Sequence, residues 1–467
     1  MSWAIFVPVV FLAFYLPGSF FLPKKIFKSN LAYLTLSVIL GLVLWGWQEF
    51  IFGYLSLRFL SYFYLAFFFL TWLFKQRPKF SFPKTKIRLD KILLLLVAVG
   101  IFIQIIPIWK NGANFQNKGL MFDCCNTEDN LWHVALTNEI VKHFPPNGPG
   151  LANTPMKNYH YWSDMAVAAT VRVFRLPIFQ SQFHFFPFLI SLLLGIATIS
   201  LCRTLKLSLG VTRIAVFFNY FGGDLIYLAT FKMSSLEDGA RFLCNQPTAF
   251  SYIIALGGLS LFAIWVKEKN NRFGFLGLFL LASTIGFKIY TYLFFVPGIL
   301  LLAIFSFFKK RWFEWLIFAS FFFFSLIIYL PTNSDAGGLV WTPFSIVNNF
   351  ISQSDLNLIR WEMARTIFFN DKKYLINLIF ETGFTIIFLT AILGTKIFGF
   401  FQSPKFLMDK LGGRLSFIFF LGTLVSLIGG LFFIQTTGGA NTFNFLVSIF
   451  LFNSILTGLS LEYWQKK

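Results

Sequence analysis

Hydrophobic and polar positions in this chain are segregated into long blocks and do not alternate residue by residue. Apolar runs fall near residues 3–22, 31–52, 57–74, 92–109, 179–202, 213–231, 247–266, 273–287, 289–308, 313–331, 374–395, 415–435 and 443–462. Most are about 18–25 residues long, the length of helix that crosses a hydrocarbon layer of roughly 30 Å. Lipid offers no partner to an exposed peptide group, so such runs predict helices that satisfy their own backbone. The expected fold is all-α and integral to a membrane, a polytopic bundle of about 13 transmembrane helices. Three connecting segments, about 110–178, 232–246 and 332–373, are long enough to fold over the membrane surface. The pattern divides the chain into an N-terminal three-helix membrane segment (1–91), a membrane core (92–331), and a final surface loop with C-terminal membrane helices (332–467).

The polar block from Met121 to Asp164 stands apart. It holds His133, His143 and His160, three of the four histidines, together with Asp123, Glu128, Asp129, Glu139 and Asp164. Within it, Asp129 to Phe144 places Leu131, Trp132, Ala135, Leu136 and Ile140 on one helical stripe. Asn126 or Thr127 is suited to cap that helix, and Pro145-Pro146 ends it. It is too short and too polar to span, so an interfacial helix is expected. A second one is expected from about Tyr161 to Phe174, with Met165, Ala166 and Ala169 on its apolar side.

Composition agrees with a membrane protein: 57% of residues are hydrophobic, 12% are charged, and the mean hydropathy is +0.71. The 68 Phe suit a lipid-facing surface. A net charge of +20 suggests nucleic acid until the charges are placed. Groups at 24–28, 75–91, 203–213, 267–272, 309–311, 396–414 and 466–467 hold 25 of the 39 Lys and Arg, and all fall in alternate loops. That is the positive-inside pattern, so no nucleic-acid partner is implied. With thirteen crossings it puts the N-terminus outside and the C-terminus in the cytoplasm. Basic residues follow the first apolar run and none precedes it, the reverse of a cleaved signal peptide. Four cysteines are too few for a disulfide scaffold. Cys244 bridged to Cys124 or Cys125 is one reading, and unpaired small residues are the other.

Candidate chemistry centres on the polar block. Asp129 and His133 are four residues apart, so both leave one face of the first interfacial helix. A partly buried Asp near the membrane surface can serve as a general base, with His133 orienting it; helix capping beside an interfacial His is the plainer account. Tyr159 and His160 either anchor a helix at the headgroup layer or line a cleft for a hydroxyl-rich substrate. Glu237, Asp238 and Arg241 form the charged part of the second surface loop, where Arg241 suits a phosphate. Lys288 separates two apolar runs and either snorkels to the interface or stabilises a departing anion. Arg360, Arg365, Lys372 and Lys373 in the last surface loop are further candidates for phosphate. No Asp-x-Asp occurs. A divalent metal on Asp129, His133 and His160 is conceivable but not indicated, and no cofactor is expected.

An acid after a membrane span, an interfacial helix, a proline, and then Pro155-Met156-Lys157-Asn158-Tyr159-His160-Tyr161 before the next helix resembles the GT-C glycosyltransferases, which include aminoarabinose transferases and protein O-mannosyltransferases. Asn245-Gln246-Pro247, opening a later span, is similar to an entry motif of bacterial members, and the likeness covers roughly residues 92–310. In that superfamily the essential acid lies in the first large outer loop. The resemblance therefore implies Asp129 as general base in a catalytic core at 92–331, in a bacterial inner membrane, with the active site facing the periplasm. It also implies a polyprenyl-phosphate-linked sugar as donor, a glycan, lipid or protein acceptor, and inversion at the sugar. Tyr159, His160, Glu237, Asp238, Arg241 and Lys288 are the substrate-binding candidates. The alternative is a transporter or flippase for lipid-linked saccharides, against which stand the missing inverted repeat and the polar residues gathered in loops.

Overall fold

The computed structural model describes residues 2–27, 29–75, 90–114, 119–122, 127–151, 153–223, 225, 239, 242–334, 337–352, 356–436 and 439–467. In chain order its helices are α1 (Trp3–Phe21), α2 (Asn30–Tyr54), α3 (Leu60–Lys75), α4 (Lys91–Ile105), α5 (Thr127–Lys142), α6 (Trp162–Phe174), α7 (Ile178–Thr204), α8 (Leu209–Phe221) and α9 (Gln246–Glu268). They continue with α10 (Asn271–Phe287), α11 (Ile289–Phe308), α12 (Trp312–Thr332), α13 (Ser345–Ser352), α14 (Ile359–Asn370), α15 (Tyr374–Phe400), α16 (Pro404–Leu411), α17 (Gly413–Phe432) and α18 (Phe443–Gln465). Two short antiparallel ribbons pair Ala113–Asn114 with Leu120–Met121, and Leu339–Trp341 with Phe433–Gln435.

This is an all-α polytopic membrane protein. Among the described residues nine helices are long and apolar enough to cross a bilayer. The other four of the thirteen apolar runs contain, among the described residues, the shorter apolar helices α3, α4, α8 and α10. Helix starts follow local chemistry. Ser29, Asp90, Ser208, Asn245, Asn270 and Ser403 each accept a hydrogen bond from a first-turn backbone N–H, at α2, α4, α8, α9, α10 and α16 in turn.

The chain folds as two compact units. The first joins Met1–Lys206, Arg241–Tyr292 and Ala303–Ser334. Its inner helices are α2, α7 and α9, which are 78%, 83% and 94% buried where they are most apolar, whereas α12 is 28% buried. Glycines allow the closest crossing: a Cβ on Gly41 of α2 would strike the Phe14 carbonyl of α1, and one on Gly18 would strike the Ser37 carbonyl. Phe186, Phe250, Phe287 and Trp162 contact one another in sequence, tilted, stacked and edge-on in turn with ring centroids 5.7–5.8 Å apart, and so seat α6 on α9 and α10. The second unit joins Leu207–Ala240, Leu293–Leu302 and Asp335–Lys467. Its core is built from Val347, Phe350, Ile351, Phe384, Phe388, Leu446 and Ile449, on α13, α15 and α18.

Candidate functional site

The two short helices expected in the polar block exist, as α5 and α6, but α5 is rotated from its expected setting. Asn130, His133, Val134, Leu136, Thr137 and Ile140 are buried, whereas Leu131 is 47% exposed and Ala135 faces outward. The polar His133 and Thr137 thus face the protein. Burial of such groups is tolerable only with partners, and α6 and α7 supply them.

His133 Nδ1 lies 3.0 and 3.1 Å from the two oxygens of Asp164, which is fully buried in the first turn of α6. Thr137 Oγ1 is 3.4 Å from Asp164 Oδ1 and 3.4 Å from Gln182 Oε1. Gln182 Nε2 donates to Gln246 Oε1 at 2.8 Å, and Gln246 Nε2 donates back to the Gln182 carbonyl at 2.7 Å. A hydrogen-bonded row thus runs from the α5–α6 pair through α7 to the start of α9. The His133 Nδ1–H therefore donates to Asp164, a residue to which the sequence reading gave no chemical role. Asp129 acts on His133 through its charge. It is exposed, and the burial expected around it is found at Asp164 instead.

The other described candidates gather near this pair. Tyr159 stacks on His160, with centroids 4.7 Å apart and planes 14° apart, and meets Trp132 edge-on at 4.5 Å. Their loop is pinned to the end of α12: Lys157 Nζ donates to the Pro331 carbonyl at 2.9 Å, and the Asn158 N–H to the Thr332 carbonyl at 2.9 Å. Lys288 is the extended residue between α10 and α11. Its side chain is buried, and its charge acts on both His133 and His160.

These surroundings drive the two histidines apart. Burial alone would lower the His133 imidazole, but the charge and hydrogen bond of Asp164, helped by Asp129 and against Lys288, raise it above the ordinary 6.5. Burial, Lys288 and His133 together hold His160 well below 6.5. Burial, Asp164 and Asp129 push the Tyr159 phenol upward. The site therefore favours a cationic His133 beside a neutral His160.

Stability should follow. A raised His133 contributes stability that is complete below the unfolded value of about 6.5 and is lost as pH rises through its folded value. A depressed His160 works in reverse, with stability complete above about 6.5 and lost as pH falls below it. The melting temperature of the detergent-solubilised protein, followed from pH 5 upward, should trace a dome. His133→Gln should flatten the alkaline flank and His160→Gln the acid flank; flanks unmoved by both changes would remove this account.

Glu237, Asp238 and Arg241 lie outside the described residues, as do Asp123, Cys124, Cys125, Asn126 and the side chains of Thr127 and Glu128. Cys244 is disulfide-bonded, and Cys202 is a buried thiol. Arg365 is held by Glu362 and Glu381, and Arg360 is exposed. Among the described residues no group of three or more His, Cys, Asp or Glu side chains converges as a metal site would require.

Sequence reasoning missed a second buried cluster, which positions the first. Glu49, fully buried on α2, binds Arg58 at 2.6 Å and Arg172 of α6 at 2.6 Å. Arg58 Nη2 also donates to the Ile140 carbonyl near the end of α5 at 2.6 Å, and Arg172 Nη2 donates to Ser61 Oγ at 2.9 Å. The apolar context of Glu49 was its signal, since an acid within a membrane-spanning run needs partners. The chain matches no family model and no curated protein sequence.

Proposed function

We propose that this protein is a membrane glycosyltransferase of the GT-C kind, moving a sugar from a polyprenyl-phosphate donor to an acceptor hydroxyl at the outer face of a bacterial inner membrane. The observation that carries this reading is the buried His133–Asp164 pair, with Asp129, Tyr159 and Lys288 within its electrostatic reach. Acid, imidazole and cation gathered on interfacial elements are what proton removal from an alcohol, with departure of a phosphate, demands.

In this reading Asp129, at the exposed start of α5, accepts the proton of the incoming hydroxyl as oxygen attacks the anomeric carbon with inversion. Asp164 positions His133. Lys288 and the cationic His133 offset the charge on the polyprenyl phosphate as its bond to the sugar breaks. Neutral His160 and Tyr159 hold sugar hydroxyls. Glu237, Asp238 and Arg241 remain candidates for binding the acceptor and the phosphate. Thirteen crossings, with the N-terminus outside and the C-terminus in the cytoplasm, complete the proposed topology. The disulfide-bonded Cys244 supports an oxidising, outer location for the start of α9.

Asp129→Asn in proteoliposomes supplied with a labelled polyprenyl-phosphate sugar should lower transfer at least about 100-fold, with an unchanged melting temperature. Wild-type transfer by this variant would exclude Asp129 as base. Movement of the labelled lipid between leaflets without transfer would favour a flippase instead.

A further inference from the structure

The second compact unit holds an ionic cluster that the proposed reaction leaves unused. Glu381 lies about two turns into α15 and is 5% exposed. Its Oε1 accepts from Arg365 Nη1 at 2.9 Å and from Asn348 Nδ2 at 3.3 Å. Arg365 is also gripped by both oxygens of Glu362, at 2.8 and 2.7 Å, and donates to Asn377 Oδ1 at 3.3 Å. Every strong donor in the cluster is thus spent on Oε1, Glu362 and Asn377. The second Glu381 oxygen, Oε2, and the Asn348 Oδ1 are buried and meet no donor among the described residues.

An acceptor buried without a partner costs about 1–3 kcal/mol. Here two stand on side chains that already touch, a pattern that calls for a donor from outside the chain. Charge points the same way, because two carboxylates face one guanidinium and one negative charge is left unmatched within the cluster. The missing group should be cationic and bear N–H bonds. A hard metal ion fits poorly, since it seeks about six or more oxygens. An ammonium brings three donors on one nitrogen and is satisfied by a few acceptors. Asn348 is only partly buried, so the two buried acceptors lie close to the surface on its side.

We infer that Glu381 and Asn348 form a binding site for a primary ammonium group, with Glu381 Oε2 and Asn348 Oδ1 as its acceptors and Arg365 fixing the carboxylate between them. An ethanolamine lipid headgroup and a soluble amino sugar both carry this chemistry.

The full-length protein in mixed micelles of ethanolamine and choline phospholipids tests the site by native mass spectrometry, because the choline head carries no N–H. For a headgroup ligand, bound ethanolamine lipid should exceed choline lipid about tenfold. Asn348→Ala, which keeps the Arg365–Glu381 pair, should cut that preference severalfold, and Glu381→Gln should abolish it. For a soluble ligand, glucosamine but not glucose should raise the melting temperature, with the same dependence on the two variants. Either pattern supports the site. Equal retention of both lipids with no effect of glucosamine would overturn it, leaving a proton as the occupant of Oε2, and so would a preference that survives Asn348→Ala in full. If Glu381→Gln does not fold, Asn348→Ala decides the matter alone.

Discussion

Glu49→Ala should destabilise the protein by about 3–5 kcal/mol, the usual penalty when one member of a buried ion pair is removed and its partner stays behind. Glu49 is fully buried and is the carboxylate within 4.0 Å of both Arg58 and Arg172, whose side chains are only 16% and 17% exposed. Its loss would leave two guanidinium groups facing each other beneath α5 and α6. Arg58 would still bind the carbonyls of Ile140 and Val141, but Arg172 would keep only Ser61 and the Arg58 carbonyl. Glu49→Gln should cost less, because the amide oxygen still accepts a hydrogen bond. Thermal melts in detergent measure both effects. Because Arg58 holds the end of α5 and Arg172 belongs to α6, a partly melted variant should lose protection from proteolysis first around residues 127–174. An alanine variant as stable as wild type would show that the triad is dispensable.

Much of this architecture was legible in the sequence, because a bilayer imposes one strong rule. Among the described residues, nine apolar runs are helices long enough to cross a bilayer and the other four contain shorter apolar helices. A long hydrophobic block with no polar interruption has few other options in lipid. The short helix pair α5 and α6 was legible from prolines and helical period. The facing of α5 was not, because periodicity assigns apolar residues inward while the partners that make His133 and Thr137 worth burying lie 31 and 45 residues away on α6 and α7. Asp164 was named in the polar block but given no role for the same reason. Read locally it is the first-turn acid of a helix, an ordinary dipole effect; only the fold shows that it is fully enclosed against an imidazole. Lys288 was singled out correctly as an interruption between apolar runs, yet its depth was invisible. A lysine stem long enough to reach the interface can equally turn inward, as the burial of Lys288 shows. Glu49 shows the limit from the other side: its position in an apolar run was plain, but its two arginine partners are 9 and 123 residues away.

Asp164→Asn should be the more damaging change to the site itself. The amide matches the carboxylate in shape but carries no charge, so His133 would keep its burial and lose the group that holds its proton. Burial and Lys288 would then dominate, and the imidazole should become neutral at pH 7. The alkaline flank of the pH–stability curve should vanish as it does in His133→Gln, which ties the flank to the pair and not to either residue alone. Stability should fall by about 1–3 kcal/mol, the cost of leaving one buried polar partner unmatched. A double-mutant cycle gives the stricter measure. Asp164→Asn and His133→Gln should be strongly non-additive, with a coupling of about 0.5–3 kcal/mol, because each removes the same interaction. Additive losses would mean that the 3.0 Å contact contributes nothing specific. In the transfer assay, Asp164→Asn should reduce activity less completely than Asp129→Asn, and lowering the pH should partly restore it by returning the proton to His133. A positioning role makes that rescue necessary, whereas a carboxylate that took the proton itself would show no such recovery.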